Sequence, residues 1–285
     1  MKETVEQTPV VQSSSNGRWF EPQRGTLIAS HRFLYPLLAL VRLDFKTRYS
    51  ATTLGIGWAV GQPLALLLLY TFAFSIVLKV RFRPGDNIFV SAIYLLCGLV
   101  PYLAVAESTY RASTCLRDNR SLIEKVVFPA QVLPAVPVVG TTVTESIALV
   151  LLAVFAVLSG TRITAWVLFL PLLILLRALF TTGLVWLLSV LNVFIRDLGQ
   201  VLGLLLTAWM FLTPIFYPSQ LVPPGLNWLA TINPLYHFVS AYRAVIMEET
   251  SPLSHLPALV VWAGGLSLLG LWFFNRTVER AKDFL

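Results

Sequence analysis

Long runs of apolar residues constrain this chain more than any other feature of its sequence. A helix needs about 20 mostly apolar residues to cross a membrane, and six runs reach or approach that length. Only 12% of the 285 residues are charged, about half the share of a soluble domain. The sequence therefore predicts an all-α integral membrane protein with six transmembrane helices. The predicted spans are Leu54–Leu78, Ile88–Tyr110, Val132–Leu158, Ile163–Leu191, Val201–Ile215 and Leu256–Phe274.

The stretch Met210–Arg243 is apolar but cannot form one continuous helix. An interior proline removes a backbone donor and clashes with the preceding turn. Irregular backbone at membrane depth is tolerated only where it packs in protein or lines a cavity. We therefore predict a short hairpin between spans five and six that enters the membrane and returns at one face; the resemblance described below implies that it consists of re-entrant helices at the outer face. The residues that interrupt the stretch are Pro214, Pro218, Pro223, Pro224 and Pro234.

Residues 30–50, before the first span, follow a different pattern. At helical spacing, apolar side chains from Phe33 to Tyr49 fall on one side and the basic Arg42 and Lys46 fall opposite, while Asp44 and Arg48 interrupt the apolar edge. This pattern predicts an amphipathic helix that lies in the membrane interface. The alternative is an ordinary juxtamembrane helix without a special role.

The distribution of charge predicts the orientation. Lys and Arg in short loops favour the cytoplasmic side, and they place both termini in the cytoplasm, although the cluster Lys79–Arg83 opposes this assignment. The net charge of +7 is scattered, which fits a membrane surface rather than nucleic acid. We expect a disordered cytoplasmic tail at 1–29, the interface helix at 30–50, the six-span domain at 51–275 and a second cytoplasmic tail at 276–285.

No signature of an enzyme is visible. The sequence has no GxxxxGKS or GxxxxGKT phosphate loop, no HExxH motif and no cluster of cysteines or histidines, so motif analysis yields neither a nucleotide site nor a metal site. No convergent catalytic set can be assembled. Cys97 and Cys115 fall toward opposite membrane faces, which prevents a disulfide. We expect a chain that is not an enzyme and that holds no cofactor or metal.

Three ionisable residues fall inside predicted spans, namely Glu107, Glu145 and Arg177. Each costs about 2.5–3.5 kcal/mol at the membrane centre. Glu145 and Arg177 lie at similar depth on neighbouring spans, so a structural ion pair would offset their cost. The alternative is a charged or hydrated point along a conduit.

The polar segment after span two and the aromatic residues each allow two interpretations. Residues 111–129 carry four basic side chains, which either anchor the chain on the inner face or belong to a helix that docks on a soluble partner. The aromatic residues either form an interfacial belt or offer stacking surfaces for sugar rings. Candidates for stacking are Trp58, Tyr70, Phe74, Trp186, Trp209, Phe211 and Tyr217.

Four segments in this order resemble one family. They are RLDFKTRYSATTLGIGWAVGQP, RDNRSLIEKVVFPAQVLP, NVFIRDLGQ and MFLTPIFYPSQLVPPGLNWLATINPLYHFVSAYR. Together, over about residues 30–275, they resemble the membrane subunit of type-2 ABC exporters, in the branch that exports lipid-linked O-antigen, capsule polysaccharide or teichoic acid. The resemblance implies a homodimer of this permease with two ATPase subunits, and it places ATP and Mg²⁺ on those partners.

The resemblance also implies roles for particular residues. The interface helix, with Arg42, Lys46 and Arg48, would contact the ATPase and attract phosphate headgroups. The coupling segment would sit in a cleft of the ATPase; its residues are Arg111, Arg117, Asp118, Arg120, Leu122, Ile123, Glu124 and Lys125. The outer re-entrant gate would be shaped by Pro214, Pro218, Pro223, Pro224, Asn233 and Pro234.

The expected mechanism is that the ATPases close on ATP, push the coupling segment and separate the two permeases, between which the lipid-linked glycan passes. Three other functions stay open at this point. The same fold could export a drug or a small lipid. An ion-coupled transporter could use Glu107, Glu145 and Arg177, and a membrane transferase would need a catalytic cluster that the sequence does not show.

Overall fold

The computed structural model describes residues 27–50, 52–82, 88–125, 129–195, 197–218, 221–223, 225, 227–248 and 250–284. Regular elements in these ranges are all helical, which confirms the predicted class. The α-helices are α1 (Leu27–Ser50), α2 (Trp58–Tyr70), α3 (Ile88–Ser113), α4 (Cys115–Asp118), α5 (Arg120–Lys125), α6 (Val132–Leu158), α7 (Leu170–Phe194), α8 (Leu198–Leu212), α9 (Asn227–Ile232), α10 (Pro234–Ile246) and α11 (Leu256–Lys282). Most of the predicted tail at 1–29, namely residues 1–26, lies outside the described residues.

Five helical stretches among the described residues are long and apolar enough to cross a membrane. They are Gly55–Phe74, Phe89–Ser113, Val132–Leu158, Ala165–Phe194 and Leu256–Lys282. The remaining predicted span, Val201–Ile215, corresponds to α8, which has 15 residues. At about 1.5 Å per residue it extends only about 22 Å, against a hydrocarbon core of about 30 Å. The count of six spans therefore stays a prediction.

Helix α3 is the central element of the bundle. Of the 18 consecutive residues of α3 that are most apolar, 72% are buried, against 17–33% of the corresponding residues in the other four spanning stretches. It packs against α6, α7 and α10, and Ile93, Leu95 and Val105 are fully buried along its length. The other spanning helices each keep an apolar outer surface, which suits contact with lipid or with a second membrane subunit.

Helices α7 and α11 approach so closely that their backbones touch. A Cβ atom on Gly183 would meet the backbone of Leu266 and Ser267, and one on Gly270 would meet the backbone of Gly183. The Ser267 hydroxyl donates to the Leu179 carbonyl at 2.7 Å. Small residues with an interhelical hydrogen bond are typical of close packing between membrane helices.

The end of the chain departs from the predicted division of the sequence. The predicted tail 276–285 is instead mostly a continuation of α11, which ends at Lys282. Phe274, Val278 and Ala281 are buried in a cluster with residues of α4 and α7, and Lys282 donates to Glu279 at 2.8 Å. We call this end of the bundle the inner end and the opposite one the outer end, following the orientation predicted from the sequence. An apolar stripe and a favourable charge pair thus extend the helix beyond the apolar run.

Helix α1 runs along the inner end of α6. Val41 is buried against Val132 and Val136, with Leu37 and Phe45 beside them. The basic Arg42 and Lys46 are exposed on the opposite side. A helix covers the predicted residues 30–50 and begins three residues earlier, at Leu27; its place in the membrane interface stays a prediction.

The proline-rich stretch forms two helices, α9 and α10, which meet at Asn233. Helix α10 packs into the bundle: Phe238 and Tyr242 are fully buried, and the Tyr242 hydroxyl reaches Glu145. Because Glu145 stands 13 residues from each end of α6, α10 reaches the depth of the middle of that helix. This placement agrees with a segment that enters the bundle and returns.

Candidate functional site

The coupling segment predicted from the sequence folds as α4 and α5, directly after α3. Its apolar residues Leu116, Leu122 and Ile123 pack in the inner cluster with residues of α6, α7 and α11. Its charged residues Arg117, Asp118 and Arg120 are exposed. The segment is therefore attached to the bundle through one side and presents charged side chains on the other.

Local hydrogen bonds fix the orientation of this segment. The Thr114 hydroxyl donates to Asp118 at 2.7 Å, and Arg117 Nη1 donates to Asn192 Oδ1 at 3.1 Å, which ties α4 to α7.

Burial, with the Asp118 charge as a smaller contribution, raises the pKa of the Cys115 thiol well above its ordinary value. The side chains of Glu124 and Lys125, which were predicted to belong here, lie outside the described part of the structure.

Four charged side chains join α1 to the inner end of α3, and we call them the inner ionic junction: Asp44, Arg48, Glu107 and Arg111. Arg111 Nη2 donates to Asp44 Oδ1 at 2.5 Å, and Arg48 Nη2 donates to Glu107 Oε1. Their side chains are 21–31% exposed. This junction explains why Asp44 and Arg48 interrupt the apolar edge of α1.

The junction also changes how two predicted residues can act. Arg48 was expected to attract headgroups and Arg111 to contact an ATPase, yet both guanidinium groups are engaged in ion pairs within the chain. Glu107, which was predicted as an ionisable residue within span two, is paired with Arg48. Arg42 and Lys46 remain the exposed basic residues of α1 among the predicted set.

The structure brings Glu145 and Arg177 together in the middle of the bundle, and we call them the central ion pair. Arg177 Nη2 donates to Glu145 Oε2 at 2.5 Å and to Thr142 Oγ1 at 2.8 Å. The Tyr242 hydroxyl donates to Glu145 Oε1 at 2.9 Å. Both charged side chains are 0% exposed. The pair thus links α6, α7 and α10, as a structural ion pair would.

A narrow and mostly apolar cavity runs between α2, α3 and α6. Arg48, Gln62 and Glu107 line its inner end, and Glu145 lines it at the depth of the central ion pair. Its lining thus includes residues of both the inner ionic junction and the central ion pair.

The side chain of Asn233 makes three hydrogen bonds that hold the outer hairpin together. Its carbonyl oxygen caps α10 by accepting from the Leu235 backbone N–H at 3.0 Å, and it also accepts from Trp209 Nε1 at 2.9 Å. Its amide donates to Thr213 Oγ1 at 2.9 Å. Pro234 occupies the first turn of α10, where the lack of an N–H is harmless. One side chain thus joins the ends of α8 and α10.

Arg243 is a residue whose role the sequence did not reveal. Although it is charged, it is only 4% exposed. It donates to the carbonyls of Pro214 and Ile215 at 2.8 and 2.9 Å, and its guanidinium lies 3.7 Å from the Tyr94 ring centroid. Backbone carbonyls that the prolines leave unpaired thus find a buried charged donor, which stabilises the bend.

The other prolines of the predicted outer gate differ in how deeply they are buried. Pro214 is buried, Pro218 is half-buried and Pro223 is exposed. Pro224 lies outside the described residues.

Several of the predicted aromatic residues form one continuous group at the outer end of the bundle. Tyr70 stacks on Phe74 with centroids 6.0 Å apart, Phe74 stacks on Phe216 at 5.7 Å, and Phe216 contacts Phe211 at 5.8 Å. The Tyr217 hydroxyl donates to the Phe211 carbonyl at 2.8 Å. We call these five residues the outer aromatic group. It joins the ends of α2 and α8 to the hairpin.

The three tryptophans of the predicted set lie apart from this group. Trp186 is buried and donates to the Gln131 carbonyl at 2.9 Å, so it belongs to the inner packed cluster. Trp209 is held by Asn233. Trp58 is 40% exposed at the start of α2.

Comparison with known proteins gives the chain its family. Residues 35–247, which are 213 of 285 residues, match the ABC-2 type transporter family. The chain belongs to this family. The matched range runs from the interface helix through the end of α10, so both helices of the outer hairpin are inside the ABC-2 region, and α11 follows it.

Relatives of this ABC-2 transporter chain are similar over most of their length. It is 30% identical to an O-antigen export system permease protein RfbA of Klebsiella pneumoniae over 255 residues, 89% of this chain and 96% of the relative. It is 29% identical to the RfbA protein of Myxococcus xanthus over 249 residues, with 87% and 92% covered. The polysialic acid transport protein KpsM of Escherichia coli is 25% identical over 215 residues, with 73% and 80% covered.

Proposed function

We propose that this ABC-2 chain is the transmembrane subunit of an ATP-driven exporter that moves a lipid-linked polysaccharide across the bacterial inner membrane. O-antigen is the first candidate, and capsule polysaccharide or teichoic acid are the related ones. The observation that carries this proposal is the similarity to O-antigen export permeases along nearly the whole length of both chains. The comparison with KpsM supports the same substrate class.

The energy would come from two separate ATPase subunits, which bind ATP and Mg²⁺, acting on a homodimer of this permease. The arrangement of α4 and α5 supports this division of labour, because the segment is anchored by Leu116, Leu122 and Ile123 and presents charged side chains outward. A push on α4 would reach α7 through the bond between Arg117 and Asn192.

The inner ionic junction would carry the same push to the interface helix. Arg111 lies in the last turn of α3 and pairs with Asp44 of α1, so movement at the end of α3 would displace α1. With both termini in the cytoplasm, the exposed Arg42 and Lys46 would face the phosphates of a lipid carrier on the inner surface and attract them electrostatically.

The outer aromatic group would hold the glycan near the exit. Phe211 is 58% exposed in one chain, and the group borders the apolar faces of α2 and α8. Aromatic faces suit sugar rings of varied sequence, which would allow a repeating polymer to slide. The outer hairpin, held by Asn233 and Arg243, would then gate the exit.

Deletion of the gene in its host tests the proposal. We expect the polymer to be made and to remain attached to lipid inside the cell, so that antibody against it stains permeabilised cells but not intact ones. A plasmid-borne copy should restore surface staining. Normal staining of intact cells in the deletion strain would contradict the proposal.

A second measurement identifies the partner and the substrate. Affinity purification of the permease from native membranes should yield an ATP-binding subunit in equal amount, together with a bound glycolipid. Export that persists without any ATPase and collapses with the proton gradient would instead indicate an ion-coupled transporter.

A further inference from the structure

Two of the three histidines in the chain meet where the outer hairpin joins α11. His237 lies in the first turn of α10, and His255 is the N-cap residue of α11. Their Nδ1 atoms are 3.4 Å apart. Both side chains are half-buried, so the pair is packed against protein on one side and open on the other.

The second ring nitrogen of His237 has a fixed partner. Nε2 lies 2.9 Å from the Thr231 carbonyl oxygen in α9. A carbonyl can only accept a hydrogen bond, so Nε2 carries the proton and Nδ1 presents a lone pair toward His255. A ring N–H held by a backbone carbonyl is the arrangement that orients histidine ligands in metal sites.

The separation of the two Nδ1 atoms matches a shared metal ion. Ligand nitrogens about 2.0–2.1 Å from a tetrahedral zinc ion lie about 3.3–3.4 Å from each other.

We propose that His237 and His255 form a binding site for a divalent transition-metal ion, Zn²⁺ or Cu²⁺, that fastens α10 to the start of α11. Imidazole nitrogen is a ligand that both ions accept. No group of three or more His, Cys, Asp or Glu residues in the described ranges could hold a metal, so water or a small anion completes the coordination. The positive end of the α11 dipole opposes a cation. The site is therefore weaker than a structural zinc site with four protein ligands.

An occupied site would join three elements of the outer hairpin. Thr231 belongs to α9, His237 to α10 and His255 to the α11 junction. A bridge between them would restrain the hairpin against α11, so metal binding should stabilise the folded chain by mass action. This inference goes beyond the proposed function and does not depend on which substrate is exported.

Titration of the purified full-length chain with Zn²⁺ tests the site. The protein carries a tag without histidines and is first stripped with a chelator. We expect one Zn²⁺ per chain and a melting temperature that rises on binding. His237→Gln and His255→Gln should each weaken binding at least tenfold, while His31→Gln, which alters the remaining histidine, should bind as the wild type does.

The glutamine variants are chosen so that folding can be judged separately. The amide nitrogen of Gln at position 237 can still donate to the Thr231 carbonyl, and the metal-free melting temperature of each variant serves as the control. Electron paramagnetic resonance of Cu²⁺ on the wild-type chain gives a further test, because two imidazole nitrogens should couple to the ion. Unchanged binding in either variant, no stoichiometric binding by the wild type, or a Cu²⁺ signal without imidazole coupling would each overturn the proposal.

Discussion

The central ion pair and the inner ionic junction use the same chemistry in different surroundings. Glu145 and Arg177 are 0% exposed, and hydrogen bonds to Thr142 and from Tyr242 link them to α6 and α10, while Nε and Nη1 of Arg177 are buried without a hydrogen-bond partner among the described residues. The side chains of the inner junction are 21–31% exposed and join only α1 to α3. Buried charges that lose a partner are strongly penalised, whereas partly solvated pairs exchange partners with water at little cost.

This difference assigns different roles to the two groups. The central ion pair fixes the relative position of α6, α7 and α10, and it keeps the hairpin attached to the bundle. The inner junction can break and re-form while α1 moves. The rigid part of the chain thus lies in the middle and outer half, and the adjustable part lies at the inner face, where a partner would act.

The largest expected effect comes from breaking the central ion pair. Replacing Arg177 with Met leaves Glu145 buried without its cation, which should destabilise the chain by about 3–5 kcal/mol. The double replacement Glu145→Gln with Arg177→Met should lose less than Arg177→Met alone, since no charge is stranded. Unfolding in detergent, followed by tryptophan fluorescence, measures both. If the double variant is less stable than the single one, the pair is not the fixed point that we infer.

Close packing of α7 on α11 should give the next largest effect. A methyl group at Gly270 would overlap the backbone of Gly183, so Gly270→Ala should destabilise the chain by about 1–3 kcal/mol through overpacking. Gly264 lies on the same helix, and nothing stands within 4 Å of the place that a methyl group would take there, so Gly264→Ala is the matched control. It should be neutral, or stabilising by up to about 1 kcal/mol. Equal melting temperatures for the two variants would argue against the contact.

The inner junction should respond differently from the central pair. Asp44→Asn should change the unfolding free energy by only about 0–1 kcal/mol, but it should reduce export because α1 no longer follows α3. The charge swap Asp44→Arg with Arg111→Asp should restore part of that export. Surface polymer measured in cells that contain equal amounts of each variant distinguishes the outcomes. A large loss of stability in Asp44→Asn would remove the contrast between the two groups.

The smallest effect is a change in the reactivity of Cys115. Burial raises the pKa of this thiol, so little thiolate is present near neutral pH and reaction with maleimide should be slow. Reactivity should rise only at alkaline pH or when α4 opens. Replacing Cys97, the other free and buried cysteine, by Ala isolates the signal. Fast labelling at neutral pH in the resting chain would show that α4 is loosely attached.

Much of the fold could be predicted from the sequence because apolar runs determine membrane spans directly. The third span, Val132–Leu158, agrees at both ends with α6. The start of α11 at Leu256 also agrees, but its end does not, because packing and charge pairs beyond Phe274 extend the helix. The fifth predicted span, Val201–Ile215, is as short as α8, which has 15 residues, but it lies three residues later in the chain, because Thr213 and Pro214 end the helix without interrupting the apolar run.

The ion-pair partner of a charged residue could be predicted only where the positions of both residues along their spans placed them at the same membrane depth. Glu145 and Arg177 lie at similar depth on neighbouring spans, and they do pair. For the pair Asp44 and Arg111, the sequence showed only that an acidic residue interrupts the apolar edge of α1. That pattern does not indicate which basic residue pairs with it. Nothing in the sequence indicated that Arg243 is buried and binds backbone carbonyls, because those carbonyls lie 28 and 29 residues away in the chain.

The central claim is that energy enters through α4 and α5, and charge reversal at Arg117 and Arg120 tests it most directly. A matched control reverses Arg276 and Arg280, which are exposed on α11, so that the same charge is changed at another surface. Surface polymer is measured in cells with equal amounts of each permease in the membrane. We expect Arg117→Glu with Arg120→Glu to abolish surface polymer, and Arg276→Glu with Arg280→Glu to leave most of it. Normal surface polymer with Arg117 and Arg120 reversed would contradict the central claim.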